Sequence, residues 1–345
     1  YTTINKSTDY FNTKLYTGTG STQSITGVGF QPDWVWCKTR NDTQDHQLID
    51  VVRGVTKTIA SNGSAAEFTD SNGLTAFGTD GFTVGSSGGI NGSGDTLVSW
   101  NWKAGNAQGS SNTDGSINTT YTSVNTTAGF SISQYTGNGS AGATVGHGLG
   151  AVPGLIFIKN LSSASTDWGV YHQSLGGTKA LFLDLANQAD TNIKYFNNTD
   201  PTNQVFSLGT YNDENANGEN YIAYCFAEKA GYSKFGSYTG NGNADGTFVY
   251  TGFKPAWIMI KCSSHGSNNW VMVDNKREGF NPDNDRLYAD STSAESDTDV
   301  VDILSNGFKN RFTGGTSNGT SKSYVYMAFA EAPLVGTNNI PATAR

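Results

Sequence analysis

An aspartate stands three residues ahead of an arginine at two matching places in this chain, Asp50-x-x-Arg53-Gly54 and Asp274-x-x-Arg277. A carboxylate and a guanidinium so spaced at a strand end can pair and order the loop that follows, or can hold a polar ligand. A third copy of the same context has His172 and Leu175 at these positions. No chemistry that needs the pair is retained in all copies, so the pair reads as a structural clip. Lys38, Lys159 and Lys261 each close an apolar run. A lysine there snorkels to solvent or meets a carboxylate. A Schiff-base role would require a desolvated pocket.

The acidic stretches Asp213-Glu214, Asp283 to Asp285 and Asp297 to Asp302 offer oxygens of the kind that hard cations take. None has EF-hand spacing and none recurs, which favours solvated loops. His46, His147, His172 and His265 suggest no Ser/His/Asp order. The glycines around His147 follow no strand and open no helix, so they do not read as a phosphate cradle. Paired carboxylates for sugar hydrolysis are defined by distance in space, and nothing in the sequence points to a pair. Trp168, Tyr171 and Trp270 flank expected loops. They are the candidate glycan contacts, because aromatic faces stack on sugar rings, although tryptophan in strands more often belongs to a core. The reading is of a protein that is not an enzyme and has no cofactor or metal.

What must position these groups is a unit used three times. The string YTGxG begins at Tyr16, Tyr135 and Tyr238. A proline follows each copy, at Pro32, Pro153 and Pro255, and the lysine comes six residues after each proline; Gly252 to Pro255 reads as a turn in which the proline blocks strand pairing. Between proline and lysine lie the apolar runs DWVWC, GLIFI and AWIMI. Fixed-order self-similarity marks one structural unit repeated. Short β-prone segments recur through each copy, and Asp80-Gly81 and Asn306-Gly307 signal hairpins. The expected architecture is all-β: three tandem antiparallel β-sandwich, jelly-roll-like repeats of roughly 100 residues. The units are expected at 1–105, 129–230 and 231–345. Residues 106–128, rich in Gly, Ser, Thr and Asn, read as a linker or long loop.

Composition agrees. Of 345 residues 43 are glycine, charged residues are 14% and aromatics 12%. Few helix formers and many turn residues favour short strands. The net charge of −8 and the lack of basic runs argue against nucleic-acid binding. No apolar run reaches membrane-spanning length, and no signal peptide is visible. The chain begins at Tyr1 and not Met, which suggests processing or an upstream segment. Cys37, Cys225 and Cys262 occupy unmatched repeat positions and read as free thiols.

The wording of several segments resembles repeats of marine bacteriophage virion surface proteins. These segments are GFQPDWVWCK, LIDVVRGVTK, SWNWKAG, YIAYCFAEKAGYSKFGSYTGNG, GFKPAWIMIK and YMAFAEAP. Such proteins are described as tail-fibre or head-fibre-like and carry an uncharacterised repeated domain. The resemblance covers nearly the whole chain and carries no residue roles with it. It implies a structural and adhesive virion component, a tail fibre, head fibre or capsid decoration. It further implies location on the virion surface or outside the cell, a homo-oligomer such as a trimer, contacts with other virion proteins, and loops that meet host-surface glycan. A carbohydrate-binding module and a polysaccharide depolymerase are the alternatives. The Ala-Arg end looks like a natural C-terminus in such proteins.

Overall fold

The apolar run between each repeat proline and lysine becomes the buried strand around which a sheet is built. These strands are Trp34–Thr39, Leu155–Asn160 and Phe253–Cys262. In this computed structural model, which describes residues 2, 4–277, 281 and 284–335, each of them pairs antiparallel with a closing strand. The closing strands are Thr96–Trp102, Asn220–Phe226 and Ser323–Pro333. On the far side of each closing strand lies the strand that runs into YTGxG: Phe11–Thr17, Phe130–Thr136 and Ser233–Thr239. On the other side of the central strand come Gln47–Asp50, Gly169–His172 and Val271–Asp274. The protein is all-β with antiparallel sheets, and the same order appears in each of the three main sheets.

Each main sheet carries a smaller second sheet on one face. The small sheets are built on the pairs Gln23–Thr26 with Gly81–Val84, Ala143–Gly146 with Val205–Leu208, and Phe248–Tyr250 with Gly307–Asn310. The space between layers holds three separate apolar clusters, one per sandwich. The opposite faces of the main sheets meet one another. Their side chains form a single cluster that includes Trp34, Trp100, Phe157, Tyr224, Trp257 and Phe329. Because the strands between proline and lysine are buried on both faces, they read as continuous apolar runs.

The repeated YTGxG string has one structural job. Its tyrosine hydroxyls donate to the carbonyls of Ile90, Glu214 and Ser317, at 2.8, 2.7 and 2.6 Å. Its final glycines, Gly20, Gly139 and Gly242, donate their N–H groups to the carbonyls of Asn91, Asn215 and Asn318. Those three asparagines are fully buried. A Cβ at the first glycine of each string would lie 2.0, 2.4 or 2.5 Å from a facing carbonyl oxygen, which only glycine tolerates.

Three local expectations need correction. Pro255 does not stop its strand: Phe253–Cys262 runs through it, with register shifts on either side of the proline, the bulged setting in which a sheet accepts one. The two hairpins turn one residue earlier than Asp80-Gly81 and Asn306-Gly307 suggest, because Gly78 pairs with Gly81 and Leu304 with Gly307. Residues 106–128 are no free linker. Tyr121–Asn125 is an edge strand on Phe130–Thr136, and Ile117 bridges to Val145 in parallel.

Candidate functional site

The chemistry-bearing residues gather where the three main sheets meet. Asp50 and Arg53 form a side-chain ion pair at 2.5 Å with almost no exposure. Asp50 also accepts the hydroxyl of Tyr224, from the second closing strand, at 2.7 Å. Asp274 pairs with Arg277 at 2.6 Å and accepts the indole N–H of Trp100, from the first closing strand, at 3.0 Å. At the remaining junction His172 donates to the carbonyl of Tyr326, and the third closing strand places Met327 where the others have Tyr224 and Trp100. Where the acceptor aspartate is absent, the cross-sheet donor is absent too.

A second set of bonds crosses the same three junctions between sheets. Trp168 donates its indole N–H to Ala60 O at 2.9 Å, and Trp270 donates to Phe182 O at 2.7 Å. His46, at the corresponding place in the first sheet, lies 2.9 Å from Tyr288 O through Nε2. A third set is purely backbone: Glu67 N to Leu161 O, Ala189 N to Ser263 O, and Glu295 N to Arg40 O, at 3.1, 3.0 and 2.7 Å. Each set links the first sheet with the second, the second with the third and the third with the first. The chain therefore closes on itself as a ring with approximate threefold symmetry.

The junction between third and first sheets, which no connecting segment bridges, carries an added charge network. Arg40 pairs with Glu295 at 2.6 Å and with Asp285 at 3.4 Å, while Glu295 also receives Arg277 at 2.8 Å. Asp283 lies outside the described residues. Of the other acidic stretches, Asp302 is paired with Arg311 and Asp213 accepts the hydroxyl of Tyr195 at 2.9 Å.

The candidate glycan contacts are not where stacking needs them. Trp168, Tyr171 and Trp270 are 0%, 3% and 2% exposed and offer no face to a ligand. The two indoles instead hold the ring closed. The signal that could have revealed this is their alignment with His46, another N–H donor just ahead of the same strand. The repeat lysines neither snorkel nor pair with a carboxylate first. All three are buried, and Lys38, Lys159 and Lys261 donate to the carbonyls of Thr39, Thr166 and Asn268 at 2.7, 2.6 and 2.7 Å.

Burial sets the electrostatics. It lowers Lys38 and Lys261 to about 8 and lowers Lys159 in the same direction. Burial also raises Asp184, which accepts the backbone N–H of Trp168, and raises Asp290, which accepts that of Trp270, to about 6. Asn62 does the same for His46 without a charge. Shifted groups often mark active sites. Here they recur at matching positions in each sheet, as a scaffold requires and a single active site does not. His46 is lowered to about 3 and His172 to about 4, both by burial, so both stay neutral. Nδ1 of His46 accepts the Trp36 indole N–H at 2.8 Å while Nε2 donates to Tyr288, leaving no nitrogen for proton transfer.

The Asp290 shift has a sign that can be checked. Its folded pKa is raised, so its stabilising contribution is complete below the ordinary aspartate value and is lost as pH rises through about 6. Asp290→Asn keeps an acceptor for Trp270 N–H and removes the titration. Denaturant melts at pH 4 and pH 7 are expected to show the variant gaining about 2 kcal/mol on the wild type between the two. A constant gap between the two proteins is the contrary result.

Among the described residues no group of three or more His, Cys, Asp or Glu could hold a metal ion. No described helix is long and apolar enough to cross a membrane. All three cysteines are buried free thiols. One surface cleft of about 380 Å³ lies on the second unit beside Gly266 of the third, with Asp167, Asn187, Gln188, Asp190 and Tyr211 on its walls. Tyr211 is 37% exposed and stacks on Tyr195 at 4.7 Å.

No curated protein and no solved structure matches the chain. A family model described as a domain of unknown function (DUF7483) matches residues 6–333 and so spans all three sheets. The chain belongs to that family.

Proposed function

We propose that this chain is a structural and adhesive component of a bacteriophage virion surface, as a tail fibre, head fibre or capsid decoration, that presents loops for attachment to the host. The observation that carries the reading is the use made of the charged and titratable groups. The aspartate–arginine clips, His46 and His172 bond across to neighbouring sheets, the repeat lysines are spent on buried main-chain carbonyls, and polar loops are left facing outward. Recognition belongs to such loops on a rigid frame. The resemblance of the segments around Trp34, Tyr221 and Trp257 to marine phage virion repeats points the same way. Association with other virion proteins, assembly into homo-oligomers and an extracellular location are parts of the same proposal.

Immunogold labelling of purified source virions with antibody against this chain tests it. Label at regular surface positions is the expected result, and virions that carry no label and no peptide of this chain by mass spectrometry would overturn it.

A second reading, glycan binding, is favoured by the cleft beside Tyr211. An exposed aromatic ring next to amide and carboxylate side chains is the composition that sugar rings and hydroxyls require. Host-surface polysaccharide is expected to bind the wild type and to bind Tyr211→Ala at least tenfold more weakly. Equal binding by both removes the reading. Release of new reducing ends in the same assay would instead favour a depolymerase.

A further inference from the structure

The outer strands of the three small sheets occupy equivalent places, and their registers align Ser24 with Thr144 and Phe248, and Thr26 with Gly146 and Tyr250. The chain treats these three edges differently. In the second sheet the edge is covered by the chain itself. Ile117 N–H donates to Thr144 O, and Thr144 N–H donates to Ser116 Oγ, both at 2.9 Å. A Cβ at Gly146 would lie 1.7 Å from Asn112 Oδ1, so the covering segment fills that space as well. In the first sheet the corresponding residues are the small and polar Ser24 and Thr26. In the third they are Phe248 and Tyr250, 47% and 58% exposed.

Among the described residues the third edge is also open along its backbone. Asn310 N–H bonds to Thr247 O and Thr251 N–H to Asn306 O, so residues 247, 249 and 251 face the neighbouring strand. By the alternation of an antiparallel pair, Phe248 and Tyr250 then turn both N–H and C=O outward. Proteins blunt such edges with charge, above all with lysine. Lys309, directly across from Phe248, does not serve, because Asp245 holds it in an ion pair. An open cleft of about 600 Å³ adjoins Tyr250 and leaves the edge approachable.

We propose that Phe248–Tyr250 pairs with the same strand of a second copy, antiparallel, about a twofold axis at Val249. In that register Phe248 lies opposite the partner's Tyr250, and Tyr250 opposite the partner's Phe248. Each of the four residues then exchanges its free donor and acceptor, which leaves no orphan group. Both aromatic rows lie on the same face and meet as cross-strand pairs. A second copy fits better than an unrelated strand because the edge is complementary to itself, as an isologous contact requires. The alternative pairing with the edge at Ser24 and Thr26 would be head-to-tail and would supply no aromatic partner. Three residues a side make a small interface, below the size of permanent dimers, so the association is concentration-dependent. It does not rest on the virion reading, which stands or falls separately.

Sedimentation of the full chain from about 5 µM to 1 mM tests the pairing. The weight-average mass is expected to rise from 36.6 kDa toward twice that value. Phe248→Ser/Tyr250→Thr installs side chains like those the first sheet already carries at these places, and should stay at monomer mass throughout with unchanged melting temperature. Phe248→Lys/Tyr250→Lys should do the same. A wild type that remains monomeric at the highest concentration overturns the proposal. So does a rise in mass that persists in either folded variant.

Discussion

Asp274→Ala is expected to lower the free energy of unfolding by about 3–5 kcal/mol, the usual result of stranding one member of a buried ion pair. Its partner Arg277 has no side-chain exposure and would keep Glu295 as its one carboxylate beside the Met272 carbonyl, while the Trp100 indole N–H would lose its acceptor. The effect should be nearly independent of salt, since buried pairs are poorly screened. It should depend on pH. The folded pKa of Asp274 is depressed: burial raises it, but the Arg277 guanidinium and several hydrogen bonds outweigh burial. Its contribution is therefore present above the ordinary aspartate value and is lost as pH falls through the depressed one. The junction of the second and third sheets shows an uncharged alternative, with His172, Leu175 and Met327 at the matching places. In the first sheet Asp50→His/Arg53→Leu should accordingly cost less than Asp50→Ala alone, because no unpaired guanidinium remains. Urea melts of the three variants and the wild type give both comparisons. A loss below about 1 kcal/mol for Asp274→Ala would show that the clip is not part of what closes the ring.

The second large effect is expected from Trp34→Ala. The indole is fully buried and its ring lies 4.5 Å from Tyr224 and 5.9 Å from both Phe130 and Phe226, all three contributed by the second sheet. Removing it opens a cavity between sheets, which costs about 3–5 kcal/mol. Trp257 stands in the same relation to Phe11 and Trp102 of the first sheet, at 6.3 and 5.6 Å. Because the cluster is common to all three sheets, Trp34→Ala should shift one cooperative transition as a whole. A biphasic melt with only the first sheet destabilised would mean that the sheets are held mainly by their own sandwich cores.

The all-β antiparallel class and the structural use of Asp-x-x-Arg are legible in the sequence, because they rest on local patterns: apolar runs, turn residues and fixed spacing. The ring is not. Trp168 and Trp270 look like loop aromatics because what holds them is a backbone carbonyl of another sheet, and a carbonyl leaves no mark in sequence. The equivalence of His46 with these tryptophans is hidden by a change of residue type that keeps only the N–H donor. The lysines mislead for the same reason, since their acceptors are main-chain oxygens. Residues 106–128 have the composition of a linker, yet Ile117 is buried and Tyr121–Asn125 pairs as a strand. Gly146 is the trace of that packing, a glycine kept free of Cβ by Asn112.

The three sheets form one closed, mutually supporting body. Native-state hydrogen exchange read on peptides covering Trp34–Thr39, Leu155–Asn160 and Phe253–Cys262 tests it most directly. The closed ring predicts that all three strands exchange only through global unfolding, with the same opening free energy and the same dependence on denaturant. A strand that exchanges at clearly lower free energy while the other two remain protected would contradict it.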